Sequence, residues 1–297
     1  MPLTIDCQGA WQPNSTLKNH TSLRVGGLGA YLFKPKNRQD LTSALAQIPT
    51  DMPITWIGLG SNTLIRDGGN PGVTILTQSG LNQLNIEPEN SIIAEAGVSC
   101  ATMARFCARN HLANAEFWAG IPGTIGGALR MNAGCFNGET WDNLISVTVI
   151  DRTGKISQRS PEAFDVSYRS INGLQKDEWF LSATFRLPRG DKITSLATIK
   201  QLLARRAATQ PTGEYNCGSV FRNPPENFAA QLIESCGLKG MLMGGAMVST
   251  KHANFISNAN NASAFDIESL IEHVTNIVLG KTGISLHREV HIIGSHA

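Results

Sequence analysis

The sequence has little of what would place the protein in a membrane or on nucleic acid. Its 297 residues contain no apolar run of about 18 residues, the length that a membrane-spanning helix needs. Residues 1–12 include Asp6 and lack the basic and then apolar pattern of a signal peptide, so we expect a cytoplasmic protein. The formal net charge is only +2 and the basic residues are dispersed, which predicts no nucleic-acid partner.

Cysteine is present but lacks the spacing of a metal site or a disulfide scaffold. None of the six cysteines forms a C-x-x-C pair. We therefore expect reduced thiols and no bound metal. The six are Cys7, Cys100, Cys107, Cys135, Cys217 and Cys236.

The length exceeds that of one typical domain, and the pattern of elements changes along the chain. Up to about residue 187 the sequence is rich in predicted strands, including a hairpin over 145–158 with Arg152-Thr153-Gly154 as its turn. After residue 194 helical periodicity dominates. We predict an α+β protein of three lobes, 1–80, 81–189 and 190–297, with the last boundary in the polar stretch 188–195.

Several helix ends are predicted by capping residues. Asn37 and Ser99 each stand directly before an apolar periodic segment, where a side chain can accept from the first free N–H groups. Ser263, with Asp266 three residues later, predicts a capped helix that buries Ile267, Leu270 and Val274, and Gly280 is predicted to end it.

The most informative feature is glycine, with 29 residues of which many fall in two clusters. The first follows a predicted strand and contains Gly58, Gly60, Ser61, Asn62, Thr63 and Leu64. A strand that leads into a glycine turn can present N–H groups to a phosphate. Thr63 stands where a dinucleotide fingerprint of the Rossmann type needs its third glycine, so that fold is excluded.

The second cluster lies about sixty residues later. Small side chains there let backbone N–H groups approach a pyrophosphate closely, and the hydroxyl of Thr124 adds a further polar group. The cluster comprises Gly120, Ile121, Pro122, Gly123, Thr124, Gly126 and Gly127, and Asn132, Ala133 and Gly134 follow it.

Together, the two clusters resemble the FAD-binding region of the UDP-N-acetylenolpyruvoylglucosamine reductase family, within the wider group of flavoenzymes related to vanillyl-alcohol oxidase. The resemblance extends from about Asn19 to Gly294. It implies that lobes 1–80 and 81–189 bind FAD without a covalent bond, and that the lobe 190–297 binds substrate. The short interval between Arg169 and Ser219 resembles the branch of the family without an extra substrate-covering loop.

Three further segments carry the catalytic part of the resemblance. They are Tyr168-Arg169-Ser170, the run from Cys217 to Pro224, and the run from His287 to Gly294. By resemblance, Arg169 and Glu289 act at the substrate carboxylate, and Ser219 donates a proton. Tyr168 and Asn223 are implied substrate contacts, and Lys239 is a candidate for the UDP phosphates, although a solvated lysine is an equal alternative.

The family's reaction explains these residue types. Hydride from NADPH passes through FAD to an enolpyruvyl ether, and negative charge then develops on the substrate carboxylate. Arg169 suits that charge because its guanidinium is a permanent cation. An ionised Glu289 would repel it, so we hypothesise a protonated Glu289 that donates a hydrogen bond. The product would be UDP-N-acetylmuramate, a precursor of bacterial cell wall, and no obligate protein partner is implied.

Two alternatives remain open at this point. Another FAD oxidase or dehydrogenase of the same superfamily would share the glycine clusters but would not need Arg169, Ser219 and Glu289 together. A non-catalytic nucleotide-binding protein would not need these polar residues at all.

Overall fold

The structure is a computed structural model that describes residues 3–297, and it contains both helices and strands in mixed order. This confirms the α+β class. In chain order the elements are β1 (Ala10–Thr16), β2 (Leu28–Lys34), α1 (Arg38–Leu45), β3 (Ile54–Ile57), β4 (Thr63–Ile65), β5 (Asn70–Leu76), β6 (Leu84–Glu87), β7 (Ser91–Glu95), α2 (Cys100–Arg109), α3 (Ile125–Met131), β8 (Gly134–Cys135), β9 (Gly138–Glu139), β10 (Leu144–Asp151), β11 (Ile156–Arg159), β12 (Asp165–Ser167), β13 (Ser170–Asn172), β14 (Glu178–Arg186), α4 (Lys192–Thr209), α5 (Ala229–Ser235), β15 (Leu242–Met243), β16 (Ala246–Val248), β17 (Ile256–Asn258), α6 (Ala264–Thr282) and β18 (His291–Ile293).

The chain divides into two compact units, each built from three separate stretches. The first unit takes residues up to 13, 31–59 and 72–205, and the second takes 14–30, 60–71 and 206–297. Over the described residues, no helix combines the length and the hydropathy that crossing a membrane requires.

The first unit is organised around two sheets. One has the strand order β1-β2-β5-β3, with β3 and β5 parallel, and the other has the order β11-β10-β14-β7-β6 with antiparallel neighbours. Helix α2 packs its buried Met103 and Cys107 into the core of the second sheet, which also contains Trp118 and Phe185. The apolar faces of strand and helix thus cover each other, as a layered α+β unit requires.

Local sequence signals explain several elements of this unit. The Asn37 side chain accepts from the Asp40 N–H and starts α1, and the Ser99 hydroxyl accepts from the Thr102 N–H and starts α2. The predicted hairpin is formed by β10 and β11, and Gly154 in its turn has a φ of +84°. These predictions from capping and turn residues are confirmed.

The second unit packs a small sheet, β15-β16-β17, against α6, and α5 also contacts that helix. Its core draws on all three stretches of the chain that form the unit, since Leu23, Val25 and Leu64 pack with Ile271 and Val274 of α6. Strand β4 pairs in parallel with β18, which lies near the end of the chain.

The predicted end of α6 at Gly280 is wrong. The helix continues through Gly280 to Thr282, and Gly283 terminates it with a left-handed φ of +73°. A glycine inside a helix costs only about 1 kcal/mol, and burial of Val278 and the neighbouring turns outweighs that cost. The N-terminal prediction is confirmed, because Ser263 and Asp266 form a capping box.

Candidate active site

Within the first unit, the fold brings parts of the two glycine clusters together. Gly58 follows the end of β3, and a Cβ atom at this position would lie 2.3 Å from the Thr124 Oγ1 atom. Thr124 caps α3 and is 1% exposed. Two segments that are distant in sequence therefore approach closely, and only a residue without a side chain fits at Gly58.

Packing inside the protein explains some glycines of the second cluster, and open space surrounds another. A Cβ on Gly126 would lie 2.8 Å from the Cβ of Ala96, and one on Gly120 would lie 2.6 Å from the Cys135 sulfur. At Gly127, by contrast, the nearest atom is Thr124 Oγ1 at 3.7 Å. Glycine is thus required by close packing at Gly120 and Gly126, whereas Gly127 is exposed and its N–H donates to Thr124 Oγ1 at 3.4 Å.

Arg169 lies against the end of this cluster. Its guanidinium donates to the carbonyl of Asn132 at 3.2 Å and to that of Gly134 at 2.8 Å. The residue has a left-handed φ of +55°, and its Cζ lies 4.9 Å from the centre of the exposed Tyr168 ring. Asn132, with a φ of 39°, ends α3 and donates from its side chain to Glu139 at 2.7 Å. The predicted catalytic cation is thus fixed by the backbone of a predicted FAD segment.

In the second unit, the rest of the first glycine cluster forms a tight turn. Gly60 is buried with a φ of +62°, and a Cβ there would lie 2.1 Å from the His20 carbonyl oxygen. No hydrogen bond among the described residues uses the backbone N–H of Gly60, Ser61 or Asn62. Thr63 and Leu64 belong to β4, and the Leu64 side chain is fully buried in the core of the unit.

Ser219 and Glu289 are brought close together in the second unit by backbone hydrogen bonds. The Glu289 N–H donates at 2.8 Å to the carbonyl of Val220, the residue after Ser219. Ser219 is half-buried, and its hydroxyl makes no hydrogen bond to another described residue. Burial raises the pKa of the neighbouring Cys217 thiol to about 12, and the Glu289 carboxylate contributes to that rise.

Two predicted substrate contacts already have partners within the second unit. The Asn223 side chain accepts from the Ala229 N–H at 3.1 Å, at the start of α5. The Lys239 Nζ donates to Glu234 Oε1 at 3.1 Å. Each contact gives the residue a structural role, and neither Asn223 nor Lys239 is assigned to a ligand by the fold.

Asn254 is a residue that the sequence reasoning missed. Its buried side chain accepts from the Phe221 N–H at 3.0 Å and donates to the Phe221 carbonyl at 2.8 Å, while its own carbonyl accepts from Val220. It therefore holds the segment that follows Ser219. The available signal was a single amide side chain in the otherwise apolar run Ala253-Asn254-Phe255-Ile256.

The residues present fit a phosphate-bearing flavin cofactor. In the second unit, the turn of Gly60 presents three consecutive backbone N–H groups that have no partner within residues 3–297, and unpaired donors of this kind are rare unless a ligand or water accepts from them. In the first unit, the exposed Gly127 lies three residues after Thr124, whose buried hydroxyl accepts from the Gly127 N–H at 3.4 Å. Among the residues that the structure describes, no group of three or more His, Cys, Asp or Glu residues could hold a metal ion.

Fold and site together define a flavin-binding α+β protein, and comparison with known families agrees. Residues 29–159 match the family described as FAD binding domain. Residues 210–293 match the family described as UDP-N-acetylenolpyruvoylglucosamine reductase, C-terminal domain.

Whole-chain comparisons identify the family. A UDP-N-acetylenolpyruvoylglucosamine reductase of Legionella pneumophila strain Corby is 59% identical over 97% of this chain and 94% of its own length. One from Alkalilimnicola ehrlichii is 50% identical over 96% of this chain and 94% of its own length. The crystal structure of the Thermus caldophilus reductase is 30% identical, has a TM-score of 0.81, and covers 96% of this chain and 98% of its own. The chain belongs to the UDP-N-acetylenolpyruvoylglucosamine reductase family, which confirms the predicted resemblance.

Proposed function

We propose that the protein reduces the enolpyruvyl group of UDP-N-acetylglucosamine enolpyruvate with NADPH and FAD, giving UDP-N-acetylmuramate for peptidoglycan synthesis in the cytoplasm. The observation that carries the proposal is the backbone hydrogen bond from the Glu289 N–H to the carbonyl of Val220, the residue after Ser219. It is made in a chain that belongs to the reductase family. We assign cofactor binding to lobes 1–80 and 81–189, and substrate binding to 190–297.

The cofactor is assigned to backbone rather than to charged side chains. The chemistry that bound FAD would supply is hydride transfer between NADPH and the substrate. The N–H groups of Gly60, Ser61 and Asn62 are the candidates for phosphate oxygens in one unit. In the other unit the candidate is the exposed start of α3 at Gly127, where the Gly127 N–H donates to Thr124 Oγ1 at 3.4 Å. Gly58, Gly120 and Gly126 are assigned a supporting role, because a Cβ atom at each would lie within 2.8 Å of a packed neighbour, and the other members of both clusters stay proposed cofactor contacts.

Arg169 and Glu289 are assigned to the substrate carboxylate. The contacts of Arg169 with the carbonyls of Asn132 and Gly134 hold its guanidinium in place, and a guanidinium carries five N–H donors in a fixed fork. Charge that develops on a carboxylate is stabilised best by donors already held in place. Glu289, in its protonated form, would add a neutral donor without repelling the developing charge.

Ser219 is assigned the donation of a proton to the carbon that bears the ether oxygen. Its hydroxyl has no competing partner among the described residues, and Gly218, with a φ of +77°, and Val220 fix the backbone on both sides. A positioned proton donor typically contributes about 10²–10⁴-fold to a reaction rate.

Tyr168, Asn223 and Lys239 are proposed substrate contacts. Tyr168 is 47% exposed beside Arg169, which leaves its ring accessible. Lys239 would exchange Glu234 for a diphosphate, a stronger anion. Asn223 would keep its carbonyl oxygen on the Ala229 N–H and use its amide N–H groups for substrate.

An anaerobic experiment in two steps tests the function. NADPH is added to the purified flavoprotein until the flavin absorbance at roughly 450 nm is lost. UDP-N-acetylglucosamine enolpyruvate is then added, and UDP-N-acetylglucosamine, which lacks the double bond, serves as the matched control. We expect the colour to return with the first compound and not with the second. A flavin that stays reduced with both until air is admitted would contradict the proposal and favour an oxidase.

A further inference from the structure

The backbone of Glu289 is held by two segments of the second unit that are far apart in sequence. Its N–H donates to the Val220 carbonyl at 2.8 Å, and its carbonyl accepts from the Asn62 side-chain amide at 3.1 Å. Val220 adjoins Ser219, and Asn62 belongs to the first glycine cluster. The main chain of Glu289 therefore connects the turn around Gly60 with the segment of Ser219.

The backbone of Asn62 is itself well fixed. Its carbonyl accepts from the His291 N–H at 3.1 Å, and the next residue, Thr63, pairs with His291 at the start of the parallel β4–β18 pair. On the other side, Gly60 is buried against the His20 carbonyl. The amide thus reaches the Glu289 carbonyl from a backbone that is anchored before and after it.

We propose that Asn62 is a positioning residue, which sets the carboxyl group of Glu289 for the reduction of substrate through the hydrogen bond to the Glu289 carbonyl. The inference rests on the proposed function, in which Glu289 acts at the substrate carboxylate. Glu289 lies between Arg288, which forms a bridge with Phe221, and the start of β18, and the Asn62 amide is the contact that its carbonyl receives from the first glycine cluster. Loss of the amide would leave the Glu289 carbonyl without this partner and allow the residue to shift.

The two half-reactions separate this role from cofactor binding. In Asn62→Asp protein reconstituted with FAD, the amide donor is replaced by a carboxylate. Because Glu289 takes no part in flavin reduction, we expect flavin reoxidation by UDP-N-acetylglucosamine enolpyruvate to slow about 10–100-fold more than flavin reduction by NADPH does, as expected for a misplaced catalytic group. Asn62→Ser, which introduces no charge, should show the same division.

Asn258→Asp is the matched control. The Asn258 side chain donates to the Leu23 carbonyl at 3.0 Å, which is also a long-range amide-to-carbonyl bond in the second unit, and its oxygen accepts from the Ala262 N–H. This variant should lose stability without a selective loss of flavin reoxidation. An equal loss of reoxidation in both variants would show a general structural effect and overturn the inference.

Two further measurements decide whether Asn62 acts through Glu289. In the Glu289→Ala background, Asn62→Asp should slow reoxidation much less than it does alone, because its target has been removed. Hydrogen exchange of the peptide 287–293 should be faster in the single Asn62 variants than in wild type. Additive effects or unchanged exchange in FAD-reconstituted Asn62 variants would each refute the role. If wild-type flavin is not reoxidised by the enolpyruvate, the proposed function itself has failed.

Discussion

At the scale of single residues, the proposed site combines backbone segments that hydrogen bonds hold in place with side chains that are oriented by contacts to residues distant in sequence. Arg169 adopts a left-handed backbone conformation, which is uncommon for a residue with a side chain, and its guanidinium is held by two carbonyls. Ser219 lies between Gly218, whose φ is +77°, and Val220, whose N–H and carbonyl are both hydrogen-bonded. Such placement favours preorganised catalysis over a flexible site.

Ser219→Ala removes the assigned proton donor and nothing else that the structure connects to it. We expect NADPH to reduce the flavin of this variant at the wild-type rate, while reoxidation by the enolpyruvate slows by about 10²–10⁴-fold. Stopped-flow absorbance under nitrogen measures both steps. Fast reoxidation would show that another group donates the proton.

Replacement of Glu289 tests whether it acts as a neutral donor. Glu289→Gln keeps an N–H donor at the position and should retain appreciable reductase activity, whereas Glu289→Ala should lose most of it. Steady-state kcat with saturating NADPH gives the comparison, and the FAD content of each variant controls for folding. Equal losses in the two variants would contradict the hypothesis of a protonated Glu289.

At the scale of elements, the turn at Gly60 joins the cofactor segment to β4. Gly60→Ala would force a left-handed backbone on a residue with a side chain, at a cost of about 1–2 kcal/mol, in addition to the clash of its Cβ with the His20 carbonyl. We expect purified Gly60→Ala protein to carry less FAD and to unfold at a lower temperature. Gly213→Ala is the control, because a Cβ there meets no atom within 4 Å and stability should change by no more than about 0.5 kcal/mol.

The ion pair between the turn after β4 and helix α6 predicts a pH dependence of stability. Arg66 binds Glu268 through two hydrogen bonds of 2.9 and 2.7 Å, and these bonds and its charge lower the pKa of Glu268 from the ordinary value of 4.5. The stabilisation is therefore fully present above pH 4.5 and is lost as the pH falls through the lower folded-state pKa. We expect Glu268→Gln to be less stable than wild type at neutral pH, with a difference that shrinks in acid. Urea unfolding between neutral and acid pH checks this, and a difference independent of pH would contradict it.

At this scale, the sequence predicts where some helices begin, but it does not predict where α6 ends or which distant segments Arg169 contacts. Caps at Asn37, Ser99 and Ser263 follow from chemistry within four residues, so they could be predicted. The end of α6 could not, because burial of the helix outweighs the small cost of Gly280. The contacts of Arg169 with Asn132 and Gly134 depend on how distant segments pack, and no local pattern encodes them.

At the scale of the whole molecule, each unit is discontinuous in sequence, whereas the predicted lobes were continuous. The pattern of elements predicts the fold class, and the resemblance carried by the glycine clusters and the three catalytic segments predicts the family. They contain no information on which stretch completes which core, because the pairing of β4 with β18 joins residues near positions 64 and 292. For the same reason, the hydrogen bond from Asn62 to Glu289 could be found only in the folded chain.

The discontinuity predicts that the C-terminal stretch does not fold alone. A fragment of residues 206–297 lacks Leu23, Val25 and Leu64 of its own core, and β18 loses its partner β4. Each missing large side chain of a core typically costs about 2–5 kcal/mol, and a whole domain has only about 5–15 kcal/mol of stability. We expect the fragment to lack a cooperative thermal transition and near-ultraviolet circular dichroism, while the full chain shows both. A sharp transition in the fragment would mean that α5, α6 and β15–β17 suffice for a stable core, and that the segments 14–30 and 60–71 serve the site rather than the fold.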